Sequence, residues 1–179
     1  MSESVWDTIA REAAEESVLW ADALRPPAER EELDVFSPLG HEMFALATES
    51  IYEGYLLHYG RPRLFSPPDA DTAVLLGDYL YAHGLVRLAQ LEIVSAVADL
   101  AELISLCTQL RAEHAAPAAD GAAWAATAAM LGSGNGRLER ARAALRLERD
   151  ATPLQELAAE NAGGEAVSSA MAAHRARVE

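Results

Sequence analysis

Apolar residues recur at three- and four-residue intervals along most of the chain, the period of helices with one buried face. In the first segment Trp6, Ile9, Ala13, Trp20 and Leu24 form such a stripe. It predicts one helix from a Ser2 or Ser4 cap to about Leu24, ended by Arg25-Pro26-Pro27. A second helix is predicted over about His41–Tyr59, carrying Phe44, Ile51 and Tyr55 and broken by Gly60-Arg61-Pro62. Ser66-Pro67-Pro68 sets up a third, from near Asp69 to about His83, with Asp69 and Asp71 as acids at its N-terminus. Gly84 kinks it or separates it from a long helix over about Leu85–His114. There Asp99, Glu102, Gln109 and Glu113 share one face, read as solvated or as the rim of a subunit contact. After an Ala/Pro-rich connection, Ala115–Asp120, helices are predicted over about Gly121–Leu131, Arg137–Arg149 and Thr152–Asn161, the last capped by Thr152. Gly132-Ser133-Gly134-Asn135-Gly136 is a strong stop. The expected organisation is a single all-α domain over 1–179: an N-terminal helix in 1–27, a core in 41–161 and a polar tail, 162–179, that frays.

Composition narrows the chemistry. With 51% hydrophobic residues in 179, the chain supports one domain with a substantial core. Alanine is about a fifth of it and β-branched residues are few, which favours helix throughout. The formal net charge is −14, from 28 acids against 14 basic residues, every one of them arginine. Such a surface repels phosphate backbones and anionic membranes, so nucleic acid is excluded as a partner. No integral membrane segment is expected, because the longest apolar stretch is interrupted by Arg87, Glu92, Asp99 and Glu102. The acidic N-terminus has no apolar core and does not read as a signal peptide. The single Cys107 permits no internal disulfide and reads as a buried small hydrophobe, which fits a cytoplasmic location. No Glu is followed by His three residues later, as a ferritin-like di-iron site requires, and there is no Gly-x-Ser-x-Gly elbow. His41, His58, His83 and His114 show no metal-ligand spacing.

One stretch carries a pattern of its own. Glu49-Ser50-Ile51-Tyr52-Glu53 is followed by His58-Tyr59-Gly60-Arg61-Pro62 and then by Gly77-Asp78-Tyr79-Leu80. Glu49 and Glu53 are one helical turn apart. They read either as an exposed acidic pair or as a weak metal-binding pair facing a cavity. Asp78 reads as facing that cavity or solvent, and Arg61 and Arg63 as surface residues or as ligands of a phosphate group.

The order and spacing of these segments resemble the core of the trans-polyprenyl diphosphate synthases, where Asp-Asp-x-x-Asp precedes Arg-Arg-Gly-x-Pro and Gly-Asp-x-Leu. Gly60, Pro62, Gly77 and Asp78 match; the aspartates and the arginine pair do not. Further on, only Gln109 and Leu110 match a Gly-Glu-x-x-Gln-Leu segment. Ala126-Thr127-Ala128 is similar to a Lys-Thr-Ala motif with its lysine replaced, and a second aspartate-rich motif is not visible. The resemblance implies a helical bundle like a truncated isoprenoid synthase fold. It also implies lost chemistry, because paired carboxylate clusters are what hold the Mg²⁺ ions that neutralise a departing diphosphate. The expectation is a non-catalytic homologue that forms a homodimer, or a heteromer with a catalytic polyprenyl synthase subunit, and needs no cofactor. In it, the apolar Leu85–Leu110 segment would supply the contact surface. The alternatives are a small active prenyltransferase or isoprenoid-binding protein using Mg²⁺ with Glu49, Glu53 and Asp78, and a helical protein-interaction module.

Overall fold

A computed structural model describes residues 4–115, 117–134 and 136–179; apart from one antiparallel bridge between Leu24 and Phe65, the regular structure among them is helical. Ser2, Ala116 and Asn135, which the sequence places in a cap, a connection and a stop signal, lie outside the described residues.

The first predicted helix divides in two. Ser4 caps α1 (Val5–Glu16), its hydroxyl accepting from the Asp7 amide at 3.0 Å. Ser17 then takes an extended conformation, and its hydroxyl accepts from the Leu19 amide to begin α2 (Val18–Ala23). Serine competes with the helical backbone in this way wherever its own hydroxyl can replace a turn. Three-residue 3₁₀ turns at Pro27–Glu29, Ser37–Leu39 and Glu42–Phe44 lead to α3 (Ala45–Tyr59).

Helix α3 is the axis of the fold and is buried without interruption from Ala47 to Leu57. Against it runs α4 (Ala70–Gln90), capped by Asp69, whose carboxylate accepts from the Thr72 amide at 2.7 Å. The two helices are antiparallel and their backbones nearly touch. A Cβ on Gly77 would lie 2.6 Å from His58 Nε2, and one on Gly84 2.5 Å from Ile51 Cγ1. Gly84 therefore neither kinks nor ends the helix; it lets α4 lie on α3. The break falls later, at Leu91–Ile93, where Glu92 adopts a left-handed φ of 58°.

The long helix expected to His114 is thus a separate α5 (Val94–Ala112), and its leucines point inward: Leu100, Leu103, Leu106 and Leu110 are all buried. Its acidic face stays partly exposed but is paired. It meets the arginines of α7 (Gly136–Glu148) and of the residue just after it: Asp99 with Arg142, Glu102 with Arg146, Glu113 with Arg149. Between them α6 (Pro117–Met130) starts earlier than its alanine-rich sequence suggested and buries Ala122 to Thr127 completely. Helix α8 (Thr152–Ala162) starts after Ala151, so Thr152 is its first residue and not its cap, and Asp150 Oδ1 accepts from the Thr152 amide. Gly163 then turns the chain at φ +88°, a conformation open to glycine at little cost. The tail does not fray: it forms α9 (Gly164–Val178), which buries Val167, Ala170, His174 and Arg177 against the bundle. No described helix is long and apolar enough to cross a membrane.

The α3–α4 seam gives a direct test. Replacing Gly84 by valine is expected to lower stability in urea unfolding by about 1–3 kcal/mol, because an overpacked seam must shift backbone. Gly164→Ala, where an added Cβ meets nothing within 4 Å, is expected to leave the midpoint unchanged or raise it.

Candidate functional site

Glu49 and Glu53 do point the same way from α3, but the group between them is Arg63. Nη1 of Arg63 donates to Glu49 Oε2 at 2.6 Å and Nε donates to Glu53 Oε2 at 2.9 Å, with all three side chains fully buried. The other carboxylate oxygens are also in use. Glu49 Oε1 accepts from the amides of Val35 and Ser37, and Glu53 Oε1 from those of Arg63 and Leu64, each of the latter at 2.7 Å. Arg63 further donates to the carbonyls of Leu33 and Glu49 and lies over the rings of Trp6 at 4.5 Å and Tyr52 at 4.8 Å. Burial alone would lower the Arg63 pKa; the two carboxylates outweigh it and raise the pKa above its ordinary value.

This arrangement fits neither reading of the acidic pair. Glu49 and Glu53 are not exposed, and as arranged each of their oxygens already accepts from an amide or from Arg63, which leaves Mg²⁺ no ready ligand set. Arg63 is sealed from solvent and cannot meet a phosphate group without dismantling the core. Among the described residues no group of three His, Cys, Asp or Glu side chains is placed to hold a metal ion. Asp78 does not join the cluster: it lies on the outer side of α4, 65% exposed, 3.2 Å from His58 Nε2. Arg61 is exposed and closes the end of α9, donating through Nη2 to the Ala176 carbonyl and through its amide to the Arg177 carbonyl. The loop 60–62 is therefore a clasp on the C-terminal helix.

The space between α3 and α6 is filled by aromatic rings. Trp124 lies 5.0 Å from Tyr52, 5.6 Å from Tyr55 and 5.5 Å from Phe36, ring centre to ring centre, and His174 of α9 completes the group through Tyr52 Oη at 3.0 Å. Ala126 is fully buried here, and its neighbour Thr127 accepts from Arg142. Cys107 is buried as expected, and burial pushes its thiol pKa well up, which makes it inert. At one edge the Tyr55 hydroxyl donates to Asp120 Oδ2 at 2.6 Å, and Arg111 reaches both: it donates to Tyr55 Oη at 2.6 Å and lies 2.5 Å from Asp120. Burial raises the Asp120 pKa even though Tyr55 and Arg111 pull it down.

Sequence reasoning missed Arg63 as a counter-ion, and also Asp120, Arg111 and His174. A signal for the first was present. The α3 sequence is apolar around its whole circumference, so charged residues on it must be buried and paired. Nothing local pointed to Asp120.

Three substitutions test these assignments. Removing the guanidinium in Arg63→Met leaves two uncompensated buried carboxylates and is expected to cost about 3–5 kcal/mol or prevent folding. By contrast, Asp78→Asn is expected to change the urea midpoint little. For Asp120 the sign follows from a folded pKa above its unfolded value: the folded state keeps the proton to higher pH. Its contribution is complete below the ordinary carboxyl range and is lost as pH rises through the folded pKa. The stability difference between the native chain and Asp120→Asn should therefore shrink or reverse as pH rises above the ordinary carboxyl range. A difference that is flat or grows with pH in the same series would contradict the assignment.

Set beside known protein-family models, curated proteins and solved structures, the chain matches none of them.

Proposed function

We propose that this chain is a non-catalytic relative of the polyprenyl diphosphate synthases that acts by association, as a subunit or regulator of an active synthase. The observation that carries the reading is the Glu49–Arg63–Glu53 triad. The residues that fall on the first aspartate cluster neutralise an internal arginine and hold backbone amides of the linker and of the loop after α3. Ionising an allylic diphosphate needs metal-bound carboxylates facing open space. Here the carboxylates are consumed, and Phe36, Tyr52, Tyr55 and Trp124 pack the interior beside them. Ala126 stands where the resemblance puts a diphosphate-binding lysine, and it has no charge to offer.

A partner surface is supported by what the bundle leaves outside. Most of the large apolar side chains of the 85–110 region face the core. Val86 at 54% and Val94 at 80% exposure flank the exposed Leu91 at the α4–α5 corner, and Val74 and Leu75 are exposed at the other end of α4. Exposed apolar side chains grouped in this way mark contact surfaces more often than random surface does.

The test combines the purified chain with a polyprenyl synthase from the same cell. Co-elution as a complex, a shift in product chain length, and no Mg²⁺-dependent consumption of geranyl or farnesyl diphosphate by the chain alone are the expected results. Turnover by the isolated chain that Glu53→Gln abolishes without unfolding it would establish the catalytic reading instead. A chain that neither binds the synthase nor alters its products would overturn the proposal.

A further inference from the structure

We propose that the cleft between the 30–34 linker, the 60–62 loop and the end of α9 is a binding site for the phosphate group of a small molecule, with the Glu31 carboxylate as its internal occupant. This inference does not rest on the functional reading above, because the cleft lies outside the packed interior.

The cleft encloses about 420 Å³ and is lined by Arg25, Arg61 and Arg177 around the single carboxylate of Glu31. That composition runs against the rest of the molecule, in which acids outnumber arginines 28 to 14. Leu33, Pro62 and Ala173 supply apolar wall, so the charged groups face one another across a short, non-competing surface. Three guanidiniums against one carboxylate leave the cleft with an excess of two positive charges. A phosphate monoester, which carries roughly −1.5 to −2 at neutral pH, matches that excess; a single carboxylate does not.

The donors are set in place by the fold. Arg25 is anchored by its backbone, its amide donating to the Leu64 carbonyl at 2.9 Å and its carbonyl accepting from Arg30 Nε at 2.9 Å. Its own Nε is buried without an acceptor, and it makes no ion pair among the described residues. Arg177 is nearly buried and is fixed by the Arg61 carbonyl at 3.3 Å, while its Nη2 holds Glu31 at 2.7 Å. Arg61 caps α9 with one nitrogen and keeps further donors, because a guanidinium has five N–H groups in a planar fork.

Glu31 is the competing group in this geometry. Its carboxylate is 61% exposed and stands on an irregular segment, tied at the backbone only by its amide to the Arg63 carbonyl. The three arginines lower its pKa, Arg177 foremost through the hydrogen bond, so it is charged and competes for the same donors at neutral pH. An exposed carboxylate holds a guanidinium weakly in water. A dianion that accepts from Arg25, Arg61 and Arg177 together displaces it outward.

Isothermal titration of the full chain with inorganic phosphate, at constant ionic strength set with chloride, tests this; malonate serves as a dicarboxylate comparison. Saturable phosphate binding is expected. Arg25→Gln should weaken it by about tenfold or more, and Glu31→Gln should strengthen it severalfold, because the competing carboxylate is gone. Both variants should unfold at the native midpoint in urea, since neither residue is part of the packed core. No saturable binding at millimolar phosphate would overturn the proposal. So would binding that neither substitution changes, and tighter binding of malonate than of phosphate would remove phosphate as the ligand class.

Discussion

An arginine side chain with no contact to water is among the most expensive things a helical core can contain, and the path of this chain is arranged around one. Desolvating the Arg63 guanidinium is tolerable only because two carboxylates, two carbonyls and two aromatic faces surround it. The partners come from everywhere in the N-terminal half. Glu49, Tyr52 and Glu53 are on α3, Trp6 is on α1, and Leu33 is in the linker. The triad carries one excess negative charge, and the amides of Val35, Ser37, Arg63 and Leu64 point their dipoles at it. These amides lie in irregular backbone or, for Ser37, at the first residue of a 3₁₀ turn, where no helix or sheet bond would satisfy them. Charge and backbone therefore solve each other's problem: the loops neutralise the acids, and the acids allow the loops to be buried.

A second electrostatic device works on the outside. Asp99, Glu102 and Glu113 on or next to α5 face Arg142, Arg146 and Arg149 on or next to α7, in the same order along the two segments. Single surface pairs add little, yet a ladder of them fixes the rotation of one helix against another. Arg142 goes further than pairing. It is almost buried and donates to the Asp99 carbonyl at 2.7 Å and to Thr127 at 2.9 Å, so it links α5, α6 and α7 through one side chain. The forked geometry of arginine makes this possible, and lysine at the same positions would lose the second and third contacts.

Much of the helical order was legible because it rests on local chemistry. Ser4 and Asp69 cap helices through their own side chains, and Pro62, Pro67 and Gly163 fall at turns. What was not legible depends on residues far apart in sequence or on backbone without a signature. Glu92 takes a left-handed conformation in which glycine would be expected, so the division of α4 from α5 has no sequence mark. The C-terminal helix looks too polar to be held, yet His174 and Arg177 are the residues that hold it, through Tyr52 and the Arg61 carbonyl. Charged residues counted as solvent-facing turned out to be internal ties. The candidate site failed to read correctly for the same reason: the partner of Glu49 and Glu53 lies across a loop, and spacing within α3 says nothing about it.

The residues that match the synthase motifs can be sorted by what they do in this fold. Gly77 leaves room for His58, and Gly60 for the Arg177 carbonyl, which a Cβ would approach to 2.9 Å. Pro62 stands between the Arg61 clasp and buried Arg63, ending α3 where the chain must turn back under its own helix. Packing requires each of these whether or not a substrate is ever bound. Asp78 is the exception, since it is largely exposed and its near contact is with His58 at the edge of the seam. In this chain the glycines and the proline of the 49–82 segment serve helix contact and chain reversal, and the exposed carboxylate of Asp78 does neither.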